Sequence, residues 1–352
     1  MKAIVVEPHK QNSVRLAEVD KPIPLENEVL LEPLCVGIDG TDREINEGVY
    51  GEPPEGADFL VLGHEAVAHV GDFGDKVQGF SRGDLVVPTV RRPGNCLSCR
   101  LGEISMCPQG DYSEHGILKL HGFASEYALS DANFLVKIPS ELKDIAILLE
   151  PLSVAEKAVS QVFLAQQRMT WMPKRAIVLG AGPLGLLVTM LLRLRGLEVY
   201  CAATRPKESL KAELVQRVGA TYVNTNETPP RLVPGKFDLI IEATGNVGVA
   251  IESFYLLNSS GVLGFLGVYR DKEACQDFGK VLTNMVLGNR LMFGSVSSDK
   301  RHFEMGLKSM IEIQHNYGDV LGRMINERLP LTNFKKAFSP EKEEIKTVIC
   351  FR

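Results

Sequence analysis

The chain has no run of Lys or Arg longer than two, and its 39 basic residues are outnumbered by 44 acidic ones, for a net charge of −5. Without a basic stripe there is no electrostatic footprint for a nucleic-acid partner, and none is expected. An unbroken apolar stretch of the roughly 20 residues that span a bilayer is also missing. The nearest approach, Ala176 to Leu192, has three glycines and a proline near its start, with Arg193 and Arg195 close behind. No membrane partner is expected either. The opening MKAIVVEPHK reads as a strand and lacks the apolar core and cleavage site of a secretory leader. Cysteine is sparse: seven residues, an odd number, in a chain of 352. That count points to a reducing cytoplasm rather than a disulfide scaffold. There is no internal repeat and no low-complexity tract.

The chain is longer than the roughly 250–300 residues over which one core keeps growing, so two domains are expected. The central feature is KRAIVLGAGPLGLLVTMLLRLRGLEVY, from Lys174 to Tyr200. A short buried strand, Ala176 to Leu179, runs into Gly180, Gly182, Pro183, Leu184 and Gly185. A helix follows to Leu194, then a second strand from Leu197 to Cys201. In a strand–turn–helix–strand unit these glycines have separate tasks. Gly180 makes the tight turn, Gly182 lets backbone N–H groups reach a pyrophosphate, and Gly185 lets helix and sheet pack closely. The helix N-terminus supplies partial positive charge to the phosphates.

After the second strand an NAD-preferring site places an acidic residue for the ribose 2′-hydroxyl. Here Ala202, Ala203 and Thr204 occupy that place, followed by Arg205 and Lys207. A cation there pairs with a 2′-phosphate, so NADP is the expected cofactor, with NAD tolerated. The α/β alternation continues through TYVN, FDLIIEATG and GVLGFLGV. Residues just after such strands line the cofactor cleft, which nominates Leu266, Gly267 and Val268, and at the end of the strand at 291–296 Ser295, Val296 and Ser297. Arg301 to Tyr317 reads as a helix, and residues 319–352 as β-rich.

The N-terminal part has the short alternating runs of a β-rich unit. Three places there carry polar groups of interest. VGIDGTDRE brings Asp39 and Thr41, FLVLGHEA reads as a buried strand delivering His64 and Glu65, and Leu148–Pro151 ends in Glu150 before a proline. Singly, each is an Asx turn, a turn histidine or a helix start. Together they supply one imidazole and three carboxylates, a donor set suited to a catalytic zinc with an open position. Cys96, Cys99 and Cys107 read as a structural zinc lobe lacking one ligand, completed by Asp111 or, less favoured, Glu114 or His115.

These features make the chain resemble the zinc-dependent medium-chain dehydrogenase/reductase family over essentially its whole length, and within it the glucose 1-dehydrogenases. FLVLGHEA (59–66), GDLVVPTVRRPG (83–94), LHGF (120–123), LLEPLSVAEKA (148–158) and EIKTVI (344–349) carry the likeness. Generic alcohol dehydrogenases share the Gly-His-Glu motif and the cysteine lobe, but not VRRPG or EIKTVI.

The resemblance implies an α/β protein with a GroES-like β-rich catalytic domain (1–155), a Rossmann doubly wound parallel-sheet nucleotide-binding domain (156–298) and a segment returning to the first (299–352). It implies oxidation of D-glucose, and of aldoses such as galactose or xylose, at C1 to the aldonolactone. Catalytic zinc would lie on Asp39, His64 and Glu150 with Glu65 adjacent. Thr41 would relay the proton, and Glu114, Glu150 and Thr41 would contact sugar. A homo-oligomer, dimer or tetramer, is implied as well. Asp39 stands where most relatives have cysteine, Pro93 where the lobe's first cysteine would be, and Ser297 where Asn or Asp is common. The alternative is a zinc-dependent polyol or secondary-alcohol dehydrogenase.

Overall fold

The computed structural model describes residues 1–269 and 278–351. Two compact units emerge from its contacts: Met1–Ser153 with Ser297–Leu307 and Leu321–Arg352, and Val154–Val296 with Lys308–Val320. The C-terminal segment expected to return as one piece is thus divided between the two.

In the first unit the long strand Glu28–Ile38 is the axis of a seven-stranded sheet. It pairs antiparallel with Glu65–Phe73 and with Thr347–Cys350, so residues from both ends of the chain lie against it. The register sets Glu65 opposite Gly37, and Thr347 opposite Ile38. A small sheet of Arg91–Arg92, Ser113–His115 and Lys119–Leu120 stands apart. Both strands are buried in consecutive runs, with Val29, Leu30, Leu31, Val36 and Ile38 packed together with Ala66, Val67, Ala68 and Val70.

In the second unit six parallel strands lie in the order Thr221–Asn224, Glu198–Ala203, Arg175–Leu179, Phe237–Glu242, Leu257–Phe265 and Leu291–Gly294. Their near-continuous apolar sequences suit a sheet covered on both faces. Ile177, Leu179, Phe237, Ile240 and Leu263 form its core, each at most 1% exposed. The chain reverses at the point where strands run outward on either side of Arg175–Leu179, the place where such sheets open a ligand crevice.

Three expectations need correction. FLVLGHEA is not one strand. Leu60–Val61 ends, the chain turns at Gly63 with φ 86°, and Glu65–Phe73 begins, because the turn is needed to bring His64 inward. The described residues 319–351 contain only two strands, Glu327–Pro330 and Thr347–Cys350, separated by the 3-10 turns of Leu331–Phe338 and preceded by the helix Val320–Met324. The cysteines are not uniformly reduced. Cys35 and Cys350, cross-strand neighbours, form a disulfide, while Cys96, Cys99, Cys107 and Cys201 are free and Cys275 lies outside the described residues.

Candidate active site

Asp39 ends the axial strand and caps the helix Gly40–Asn46. Its Oδ1 accepts the N–H groups of Thr41 and Asp42 at 2.7 and 3.2 Å. Asp42 closes the box by accepting the Asp39 N–H at 3.1 Å. This local exchange leaves Asp39 Oδ2 directed at His64, with Nε2 3.7 Å away, and the Thr41 hydroxyl donates to the same Oδ2 at 3.3 Å. His64 Nδ1 lies 3.9 Å from Asp42 Oδ1 and is buried without a hydrogen bond. Asp42 also accepts the Gly63 N–H, so one fully buried carboxylate braces the turn that presents the imidazole.

Glu65 folds over Gly37, where an added Cβ would fall 2.1 Å from Oε2. Both its oxygens accept from Lys346 Nζ, at 2.7 and 2.6 Å, and both side chains are 2% exposed. Glu150 sits in the first turn of helix Leu149–Ala165 and makes no ion pair among the described residues.

The electrostatics of this cluster call for a cation. Burial, with Glu65 and Asp39 adding and His64 opposing, pushes the Glu150 carboxyl up to about 8. Burial and the neighbouring Asp39 and Glu65 raise Asp42 to about 7. His64 is lowered by burial, but Asp39 and Asp42 outweigh that and hold it well above the usual imidazole range. Burial raises Asp39, yet the His64 charge beside it prevails and holds it low. The four carboxylates of Asp39, Asp42, Glu65 and Glu150 are thus met by Lys346, the His64 proton and protons of their own. A divalent cation displaces such protons, so the donor set fits zinc. Ligand atoms of Asp39, His64 and Glu65 lie within 4.8 Å of one another, while Glu150 falls outside that group.

The lobe fits a metal too. Cys96 caps the helix Leu97–Arg100, with Sγ 3.6 Å from Cys107 Sγ, and Cys107 Sγ is 3.3 Å from Asp111 Oδ1. Ligand atoms of Cys96, Cys99, Cys107 and Asp111 all lie within 4.8 Å of one another. Asp111 reaches in against Gly94, whose missing Cβ would sit 2.1 Å from Oδ1. The other two candidates are engaged elsewhere. Glu114 accepts from Arg91 Nε at 2.7 Å, and His115 Nδ1 donates to the His121 carbonyl.

In the second unit a cavity of about 720 Å³ opens at the ends of the parallel strands, and Gly180, Gly182, Thr204 and Arg205 line it. Gly180 has φ 113°, and Gly185 packs so closely that a Cβ would lie 1.9 Å from the Gly180 carbonyl. Beside Gly182 there is open space next to the start of helix Pro183–Leu194, the room a pyrophosphate needs. Pro183 and Leu184 form that first turn. Lys211 and Arg231 also line the cavity, and sequence reasoning missed both. They lie in a helix and a 3-10 turn whose nearness to Arg205 only the sheet creates. Lys207 does not line it and is paired with Glu227 at 2.9 Å. Leu266, Gly267 and Val268 follow strand Leu257–Phe265, and Ser295 and Val296 follow Leu291–Gly294, outside this cavity's lining. Ser297, at φ 58°, belongs to the first unit.

A parallel nucleotide-binding sheet and a β-rich unit with an Asp-His-Glu cluster, in one chain, define a metal-assisted, dinucleotide-dependent dehydrogenase. Residues 25–140 match the alcohol dehydrogenase GroES-like domain, and residues 143–351 match the glucose dehydrogenase C-terminus. The chain is 48% identical to glucose 1-dehydrogenase 1 of Caldivirga maquilingensis over 99% of its own length and 98% of the relative's. It is 46% identical to glucose 1-dehydrogenase of Thermoproteus tenax, covering 99% of each. Among solved structures, Haloferax mediterranei glucose dehydrogenase in complex with NADP, Zn and gluconolactone is 36% identical with a TM-score of 0.93, covering 100% of this chain and 99% of that one. The chain belongs to the glucose dehydrogenase family of zinc-dependent medium-chain dehydrogenases. No helix among the described residues is long and apolar enough to cross a membrane.

Proposed function

We propose that the protein oxidises D-glucose, and related aldoses such as galactose or xylose, at C1 to the aldonolactone with NADP as acceptor and NAD tolerated. The full-length likeness to glucose 1-dehydrogenases carries the substrate. On this chain's own residues, the excess of buried carboxylate around His64 supports a metal-assisted step.

Asp39, His64 and Glu150 would hold the catalytic zinc, with Glu65 adjacent. When bound, zinc acts as a Lewis acid that lowers the pKa of the anomeric hydroxyl. NADP, when bound, would supply the hydride acceptor for C1. The chain's residues do the rest. The Thr41 hydroxyl, which donates to Asp39 here, would accept the anomeric proton on its oxygen while releasing its own proton towards the cofactor ribose and solvent. Asp42 keeps the His64 imidazole aimed through the Gly63 turn. Lys346 donates to both oxygens of Glu65 and holds that carboxylate beside Asp39 and His64. Glu114, and Glu150 through its own carboxyl, accept sugar hydroxyls. Gly180 and Gly182 receive the pyrophosphate, and Arg205 with Lys211 meets the 2′-phosphate.

Cys96, Cys99, Cys107 and Asp111 would hold a structural zinc. The first unit is read as the catalytic domain and the second as the nucleotide-binding one, in a cytoplasmic homo-oligomer, dimer or tetramer, which light scattering after size exclusion would resolve. The deciding experiment is initial-rate NADP reduction across glucose, galactose, xylose, sorbitol and simple alcohols, with and without chelator. Chelator-sensitive turnover of aldoses is expected. Turnover of sorbitol without turnover of glucose would overturn the sugar assignment.

A further inference from the structure

The stretch VRRPG (90–94) carries two arginines, and the reaction described above uses neither. Strand Arg91–Arg92 pairs antiparallel with Ser113–His115, so Arg91 stands directly opposite Glu114. Arg91 Nε donates to Glu114 Oε1 at 2.7 Å, with the side chains 6% and 7% exposed. The guanidinium lies 3.8 Å from the centre of the Tyr112 ring and donates to the Tyr112 hydroxyl at 3.1 Å. Its Nη1 reaches the Ser105 carbonyl at 3.4 Å. Ser105 is pinned in turn, its N–H and hydroxyl donating to the two oxygens of buried Asp299 at 2.7 and 2.8 Å. The cation therefore has one orientation, set by groups with nothing to do with sugar.

Glu114 Oε1 is taken by this contact, while Oε2 carries no hydrogen bond among the described residues. An ionised carboxylate accepts at both oxygens, so Oε2 retains its full capacity. Two residues further on, Gly116 packs on the turn before His64, where a Cβ would come within 2.6 Å of the Gly63 carbonyl. The strand bearing Glu114 therefore ends against the turn that delivers the imidazole.

We infer that Arg91 is a positioning residue for sugar recognition: it clasps one oxygen of Glu114 so that the other is presented as a fixed acceptor for a sugar hydroxyl. The inference rests on the reading of Glu114 as a sugar ligand. Arg suits the task better than Lys because its planar guanidinium is fixed by Tyr112 and Ser105 while Nε donates to Glu114, whereas an ammonium is a point charge on a flexible stem.

The test is steady-state kinetics with D-glucose and NADP for Glu114→Gln, Arg91→Gln, Arg91→Lys and the double variant Arg91→Gln/Glu114→Gln, with NADP dissociation constants measured by fluorescence. A hydrogen bond to a charged group contributes about 1.5–3 kcal/mol, so Glu114→Gln should raise KM for glucose about 10- to 100-fold, with kcat changed less. Arg91→Gln should do the same, and the double variant should be no worse than Glu114→Gln, because residues acting through one contact are not additive. NADP affinity should stay constant throughout. Multiplying effects in the double variant, or an unchanged KM in Arg91→Gln, would overturn the positioning role while leaving Glu114 as a ligand. An unchanged KM in Glu114→Gln would overturn the sugar-ligand reading and the inference with it. Should Arg91→Gln fail to fold, Arg91→Lys decides: a raised KM at steady kcat supports the clasp, and a wild-type KM refutes it.

Discussion

Replacing Lys346 by Met removes the cation from a buried pair at the centre of the metal-binding cluster. The two contacts with Glu65, at 2.6 and 2.7 Å, lie between side chains each 2% exposed, so solvent screening scarcely applies. At an effective dielectric of about 20, a contact of that length has a gross attraction of about 6 kcal/mol. Desolvation of both ions consumes much of it, but the variant recovers only the desolvation of the ammonium. Glu65 is left buried beside Asp39, Asp42 and Glu150, each a further carboxylate. Removing one partner of such a pair costs about 3–5 kcal/mol, and the same loss is expected here for chelator-treated protein in urea unfolding. Zinc should return part of it, because the released Glu65 carboxylate then faces the ion and strengthens binding to the native state. Glu65→Gln added to Lys346→Met should likewise recover stability, since no uncompensated charge remains. A loss below about 1 kcal/mol, or a loss that zinc and Glu65→Gln both leave unchanged, would refute this account of the pair.

Two further outcomes are expected. Arg205→Ala should raise KM for NADP at least about tenfold and that for NAD little, the difference reflecting one charge-assisted contact to the 2′-phosphate. Equal effects on the two cofactors would show that the Arg205 side of the cavity does not read that phosphate. In chelator-treated protein, Asp42 near 7, Glu150 near 8 and the raised His64 all bind protons in the folded state that the unfolded chain has released. Stability therefore falls as pH rises from about 4.5 towards 8. The lowered Asp39 acts in the opposite sense only below that window. Zinc replaces those protons, so the melting-temperature gain on adding zinc should be larger at pH 8 than at pH 6, and an equal gain would contradict the proton-holding cluster.

Much of this protein was legible from the chain alone, wherever neighbours in sequence are also neighbours in space. The glycine turn is such a case. Gly180, Gly182 and Gly185 follow a buried strand, and the tight turn and close helix contact expected of the first and third are found, with open space beside Gly182. The cysteines of the lobe are equally local, while Asp39, read as a turn residue, caps a helix. The same locality misled where a turn interrupts an apolar run, as Gly63 does within FLVLGHEA.

Tertiary structure decided what depends on residues far apart in the chain. Lys346, 281 positions from Glu65, meets it only because strands Glu65–Phe73 and Thr347–Cys350 flank the same axial strand. Asp42, an acid in the first turn of its helix, stands beside His64 only because of the Gly63 turn. Asp111, rather than Glu114 or His115, lies with the lobe thiols because Arg91 and the His121 carbonyl already hold the other two. Lys211 and Arg231, the latter 3.7 Å from Glu252, join Arg205 at one cavity whose lining lacks Lys207. A sequence names the side chains available to a site. Which of them are already paired depends on long-range contacts, and for a buried charge that pairing determines what remains free to bind.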